Sequence, residues 1–314
     1  MGAKVSKKTD PGAVVADHDN HALKSRAAAI SIASNAVLIS FKLVVGILSG
    51  SIAIISEALH SGSDLVAALI AFWSVRRAAE PPDERHQYGH EKVENLSGVI
   101  EALLIIAAAG VIIFEGVMKI IDGPELDRIW LGIGVMVVSG VANLIVSMKV
   151  LYPVARRTES AALEADAAHL KTDVYTSFGV AGGLLLVKLT GWEYLDPLAA
   201  IAVAVLIIKT GYDLVMQSTR VLLDETLPDE ELDKIRHCVQ EHRGDIIAGY
   251  HKLRARRAGS RRHVDLHVVV DDTLTVARAH DIAEHIEADI RACIPNTDVL
   301  VHVEPRAPDR YEGD

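Results

Sequence analysis

The chain of 314 residues is 50% hydrophobic and only 4% aromatic, and its formal net charge is −10. A soluble chain of this length would fold as about two domains, but here the hydrophobicity is concentrated between residues 27 and 219, while 1–26 and 220–314 read as water-soluble sequence. That block pattern excludes a single soluble enzyme and points to a membrane domain with a polar tail.

In chain order, the first 25 residues are polar and mixed in charge, without the apolar core or cleavage site of a signal peptide. A spanning helix needs about 20 mostly apolar residues. Six stretches qualify, at about 27–48, 52–75, 96–121, 129–152, 161–188 and 195–219. Short polar breaks separate most of them. The longest break, Arg76 to Asn95, contains Pro81-Pro82 and many charges, so it is read as a real loop. Lys and Arg near span ends set orientation. Lys4, Lys7, Lys8, Lys24 and Arg26 precede span one; Arg76, Arg77, Arg85 and Lys92 follow span two; Lys149, Arg156 and Arg157 follow span four. The opposite side has only Lys119, Arg128 and Lys188. Both termini are therefore expected in the cytoplasm. The expected organisation is a polar cytoplasmic segment (1–25), an all-α six-span membrane domain (26–220), a cytoplasmic α+β domain (221–305) and a polar end (306–314).

Ionisable residues in mid-membrane are costly and mark pathways. Span two reads Glu57-Ala58-Leu59-His60-Ser61-Gly62-Ser63-Asp64, and span five reads Asp166-Ala167-Ala168-His169-Leu170-Lys171-Thr172-Asp173. Both fit acid-Ala-x-His-x-x-x-Asp. Residues four apart share a helix face, so His60 with Asp64, and His169 with Asp173, can complete a four-coordinate shell that suits Zn²⁺. Each His lies roughly 12–15 Å from its span end at 1.5 Å per residue. The motifs fall three spans apart, which implies an inverted repeat with the site at its interface. One such pair alone reads equally well as polar glue between helices; two at matching depth favour a metal. Lys42, Lys209, Glu101 and Glu115 are given no ligand role.

The loop after span two places Asp83, His86 and His90 three and four residues apart, a spacing that one turn can gather into a three-ligand site. A solvated polar loop is the competing reading. In the tail, residues 229–243 and 276–293 read as helices, and about 250–257, 263–270 and 299–303 as strands, giving αββαβ. Eight of the 14 His lie there. His251, His267, His302 and Glu304 fall on strands and can converge on a metal, with His280 on the second helix a further candidate. His237, His242, His263 and His285 are read as ordinary surface residues. Cys238 and Cys293, 55 residues apart, form neither a CxxC pair nor a disulfide ladder, so a thiolate zinc site and a small secreted scaffold are not expected. The basic run 252–262 has no interleaved aromatics and sits in a net acidic tail, so no nucleic-acid partner is expected.

Together these features resemble the cation diffusion facilitator family. The resemblance rests on six spans, HxxxD in spans two and five, the run Asp83-x-x-His86-x-x-Gly89-His90-x-Lys92, the αββαβ tail, and the segments Gly249-Tyr250-His251-Lys252-Leu253-Arg254 and His302-Val303-Glu304-Pro305. It covers nearly the whole chain except residues 1–20 and 306–314, and the loop run is similar to that of the bacterial zinc/iron-type members. The resemblance implies a homodimeric metal/proton antiporter in a bacterial plasma membrane, with protons as counter-substrate. It implies a transport site of His60, Asp64, His169 and Asp173, a loop site of Asp83, His86 and His90, and a cytoplasmic site of His251, His267, His302 and Glu304, where relatives often carry Asp. A His/Asp–His/Asp transport set implies Zn²⁺ before Mn²⁺, with Cd²⁺, Co²⁺ and Fe²⁺ as further substrates. Lys92 and Asp224 are expected as a charge pair coupling tail to spans. A sensor or scaffold that binds without transporting is the alternative; a membrane metalloenzyme is disfavoured by the lack of HExxH.

Overall fold

The computed structural model describes residues 11–49, 52–123, 129–192, 194–242 and 247–306. The chain divides into two compact units, the first running to Thr219 and the second starting at Arg220.

The first unit is helical: α1 (Pro11–Ser49), α2 (Ile52–Ala78), α3 (Lys92–Asp122), α4 (Ile129–Val146), a π turn (Ser147–Leu151), α5 (Tyr152–Thr158), α6 (Ala161–Thr190) and α7 (Leu195–Leu222). α1 begins well inside the segment expected to be a polar lead-in. Against the six expected spans, four helical segments among the described residues are long and apolar enough to cross a membrane: Asn20–Leu48, Lys92–Asp122, Trp130–Thr158 and Pro197–Leu222. The two long helices outside that set, α2 and α6, are the ones that carry the HxxxD motifs.

Local chemistry explains the helix ends. Ser160 caps α6, its hydroxyl accepting from the Leu163 amide at 3.4 Å. Gly191 ends α6 with φ 73°, and its amide donates to the Val187 carbonyl. The π turn precedes Pro153, which has no amide to donate and whose ring crowds the preceding turn. A wider turn absorbs that break and lets the helix continue through α5.

The packing is inverted relative to a water-soluble bundle. Val37, Leu48, Trp73, Phe114, Trp130, Leu189 and Leu206 are exposed, whereas Ser31, Asn35, Lys42, Glu101, Ser139, Asn143 and Asp166 are buried. Such an apolar exterior is untenable in water and natural in lipid, where polar groups must be satisfied inside the protein.

The second unit is a three-stranded sheet in order β1-β2-β3 with two helices. α8 (Asp229–Gln240) leads to β1 (Gly249–Ala258), which pairs antiparallel with β2 (Arg261–Val270) across a two-residue turn at Gly259-Ser260. Gly259 has φ 56°, the left-handed conformation such tight hairpins need. α9 (Val276–Cys293) then crosses over so that β3 (Thr297–Pro305) runs parallel to β2. This is the αββαβ order expected from the sequence. Val264, Leu266, Val268 and Val270 alternate along β2 into a core with Ile235 and Val239 of α8 and Ile282, Ile286 and Ile290 of α9. The alternate residues Asp265, His267 and Val269 belong to the opposite sheet face.

Three details differ from the sequence reading. Cys238 and Cys293 are joined as a disulfide that links α8 to α9. His263, expected at the surface, is buried in β2. Burial holds its imidazole below the ordinary pKa, with Arg256 adding to the effect. His242 and His285 also have close partners, described below.

Glu231 ties the first turn of α8 to the hairpin. Its carboxylate accepts from Arg262 Nε at 2.6 Å, Arg262 Nη2 at 3.0 Å and Arg257 Nη2 at 2.9 Å. These bonds, the Arg262 hydrogen bonds foremost, hold the Glu231 pKa below its ordinary value. A depressed folded-state pKa stabilises the fold above the unfolded-state value and loses that contribution as pH falls through the folded one. Glu231→Gln is therefore expected to cost the tail about 1 kcal/mol at neutral pH, the modest figure reflecting solvent screening. Urea unfolding followed from pH 7 to pH 3 should show that difference vanish on the acid side. A constant difference would remove the ionised carboxylate as its cause.

Candidate metal sites

Donor atoms on a tetrahedral zinc at about 2 Å stand roughly 3.3 Å from one another. Among the described residues, four groups of side chains have donor atoms all within 4.8 Å of one another.

The first joins Asp64 of α2 to His169 and Asp173 of α6. Asp64 and His169 are buried, and His169 Nε2 lies 3.1 Å from Asp64 Oδ1. His60 lies on α2, four residues before Asp64; its side chain is outside the described residues. The site is held from several sides. Asn35 Nδ2 donates to the Asp64 carbonyl at 3.4 Å, and Lys42 Nζ donates to Ser61 Oγ at 2.6 Å. Ser147, in the π turn, donates to the Ala167 carbonyl at 2.7 Å, fixing α6 two residues before His169. Two carboxylates and an imidazole in a buried space suit one divalent cation, whose charge the two carboxylates neutralise. Glu101 and Asp166 are fully buried in the same unit, on helices α3 and α6 that pack together.

The second group is the loop trio. Asp83 Oδ1 lies 3.3 Å from His86 Nδ1, and Asp83 Oδ2 lies 3.3 Å from His90 Nε2. The Asp83 carboxylate also accepts from the Arg85 and His86 amides at 2.8 and 2.6 Å. Those bonds, the His86 amide first, hold its pKa at about 2, so it is an anion across the physiological range. Gly89, with φ 99°, turns the chain back so that His90 packs inward, its Nδ1 3.3 Å from the Glu80 carbonyl. The trio is thus preformed by the loop backbone, a feature the spacing alone left open.

The third group lies on the sheet face away from the helices. His251, His267 and His302 sit side by side in register on β1, β2 and β3. Glu304 Oε1 lies 2.7 Å from His267 Nδ1, and Oε2 lies 3.3 Å from His251 Nε2. The group with mutually close donor atoms is His251, His267 and Glu304; His302 does not join it, being exposed at the rim with Nε2 3.6 Å from Glu304. A bulge after His251, with Lys252 at φ 53°, re-aims the start of β1. His280 does not join this group; it is exposed on α9 and lies 3.5 Å from Glu284.

The fourth group, His242, His285 and Asp289, contains none of the expected ligands. The sequence signal for it was present: His285 and Asp289 repeat the HxxxD spacing of the spans. Of the expected coupling pair, Lys92 opens α3 in the first unit, and Asp224 belongs to the second, where its carboxylate accepts from Arg256 Nη1 at 3.0 Å.

Comparison with known proteins agrees with this organisation. Residues 28–223 match the cation efflux transmembrane domain, and residues 227–306 match the cation efflux protein cytoplasmic domain. An uncharacterized transporter of Synechocystis, sll1263, is 36% identical over 278 residues, covering 88% of this chain and 89% of its own. The cation-efflux pump FieF of Escherichia coli is 30% identical over 293 residues, covering 93% and 96%. Among solved structures, a chain of CzrB in its zinc form is 35% identical, covering 28% of this chain and 99% of its own, with a TM-score of 0.26. A chain with matches to both cation efflux domains along its length, an apolar helical exterior and a buried carboxylate–imidazole cluster belongs to the cation diffusion facilitator family of membrane cation efflux transporters.

Proposed function

We propose that this protein is a homodimeric, proton-coupled exporter of divalent metal, Zn²⁺ first, with six helices spanning the plasma membrane of a bacterium and both termini in the cytoplasm. The observation that carries the reading is the convergence of Asp64, His169 and Asp173 on one buried point, with His60 one turn from Asp64 on α2. Two carboxylates neutralise the cation, and an imidazole-containing set favours zinc over manganese. Metal binds imidazole only in its neutral form, so proton and metal compete for the same nitrogen atoms. In this reading, metal loads from the cytoplasm. Rocking of the helices exposes the site outward, protons displace the metal, and the protonated site returns. The strand-face cluster holds metal that reports cytoplasmic level and ties two tails together and is not transported, while the loop trio, with a position open to water, binds metal weakly and exchangeably. Lys92 and Asp224 belong to this proposal as a coupling pair.

The test is a proteoliposome assay of the full chain with a trapped pH dye. Added Zn²⁺ is expected to drive proton movement opposite to its own, Cd²⁺, Co²⁺ and Fe²⁺ to do so more weakly, and a protonophore to abolish the signal. Metal binding without flux would favour the sensor or scaffold reading instead.

A further inference from the structure

We propose that His242, His285 and Asp289 form a further site for a zinc-class divalent cation, on the helix layer of the second unit. This goes beyond the transport reading and does not depend on it. His242 Nε2 lies 2.8 Å from Asp289 Oδ2, and His285 Nε2 lies 3.5 Å from the same oxygen. These separations bracket the roughly 3.3 Å expected between donors on a tetrahedral zinc. The imidazole centroids are 5.3 Å apart, edge to face, so both nitrogen atoms reach the carboxylate without the rings clashing.

The donors stand on fixed backbone. His285 and Asp289 are four residues apart on one face of α9, inside its 18-residue helix. His242 follows α8; its amide donates to the Val239 carbonyl, and its own carbonyl accepts from Ile247 at 3.2 Å. The His242 side chain is only 12% exposed, which is unusual for a surface imidazole. The Cys238–Cys293 disulfide links α8 to α9 beside the trio, four residues before His242 and four after Asp289. The more exposed His285 leaves an open side, as three-ligand sites do when water takes the fourth position.

The competing explanation is a plain ion pair, in which Asp289 accepts from protonated imidazoles and no metal is held. That explanation predicts no response to zinc. The metal-free full chain in detergent micelles should be treated with diethyl pyrocarbonate, with and without ZnCl₂, and the modified histidines read peptide by peptide by mass spectrometry. Zinc at about ten times its dissociation constant is expected to slow modification of both His242 and His285 about tenfold. Asp289→Asn should restore both to near their metal-free rates, while the zinc response of His251 and His267 stays as in the unsubstituted chain, showing that the tail is folded. His242→Gln should expose His285 in the same way. A His285 rate indifferent to zinc in the unsubstituted chain would overturn the proposal. So would zinc protection of His242 and His285 that survives in Asp289→Asn.

Discussion

Alanine at Asp64 or at His169 is expected to reduce zinc-driven proton flux by about 100-fold or more. The figure follows from where the two side chains stand. Both are buried, they lie 3.1 Å apart, and they come from different helices, α2 and α6. In the proposed transport site, losing either would remove a ligand and the contact that joins α2 to α6 there. Outer-shell partners of metal ligands alone are worth 10- to 100-fold in affinity or activity, so a ligand itself should be worth at least the upper figure. Asp64→Ala also removes one of two negative charges that neutralise the cation in a medium where uncompensated charge is costly. Asp83→Ala is the informative contrast. It breaks the loop trio, which lies between α2 and α3, and should leave flux through the buried site largely intact. The assay needs one control, that each variant inserts and keeps the zinc response of the tail. Undiminished flux in Asp64→Ala would remove this trio as the transport site. Lost flux in both Asp64→Ala and Asp83→Ala would make the loop part of the route.

How much of this could be read from the residues depends on the range of the contacts. The HxxxD pairs were legible because i,i+4 spacing acts within one helix, and the αββαβ tail was legible because alternation in β2 and the helical period in α9 are local. The convergence of three strands on Glu304 needed the register, with His251, His267 and His302 aligned across separations the sequence does not encode. His285 and Asp289 carry a local signal but read as surface, because the third member, His242, comes from the turn after α8, 43 residues before His285 in the chain. Lys24 carries a contact that no local pattern announces. By sequence it counts as a positive residue flanking the first span, and the structure adds that it is buried, with its partner 70 residues away. The π turn before Pro153 was also out of reach, since proline predicts a break but not how the helix will absorb it.

That buried lysine supports the other large effect. Lys24 Nζ donates to Glu94 Oε1 at 2.7 Å, and Ser160 Oγ donates to Glu94 Oε2 at 2.5 Å. All three residues are almost completely buried. Glu94 thus joins α1, its own helix α3 and the N-cap of α6. A neighbouring bond from Ser97 Oγ to Ser74 Oγ, 2.9 Å, brings in α2. Breaking a buried ion pair from one side strands the other charge and costs about 3–5 kcal/mol. Glu94→Ala is therefore expected to destabilise the helical unit by that amount, measured as thermal unfolding in detergent, and Lys24→Ala by a similar amount. The double variant Lys24→Met/Glu94→Leu should cost less than the sum of the single ones, because neither charge is then left buried alone. Additive losses would mean that the pair acts as two independent polar groups. Ser160 gives the stability effect a functional reach: it stands nine residues before His169, so loosening Glu94 loosens the start of the helix that presents His169 and Asp173. Glu94→Ala should accordingly weaken transport as well, while leaving metal selectivity unchanged, since no ligand atom is removed. A change of selectivity in that variant would place Glu94 in the coordination sphere rather than in its support.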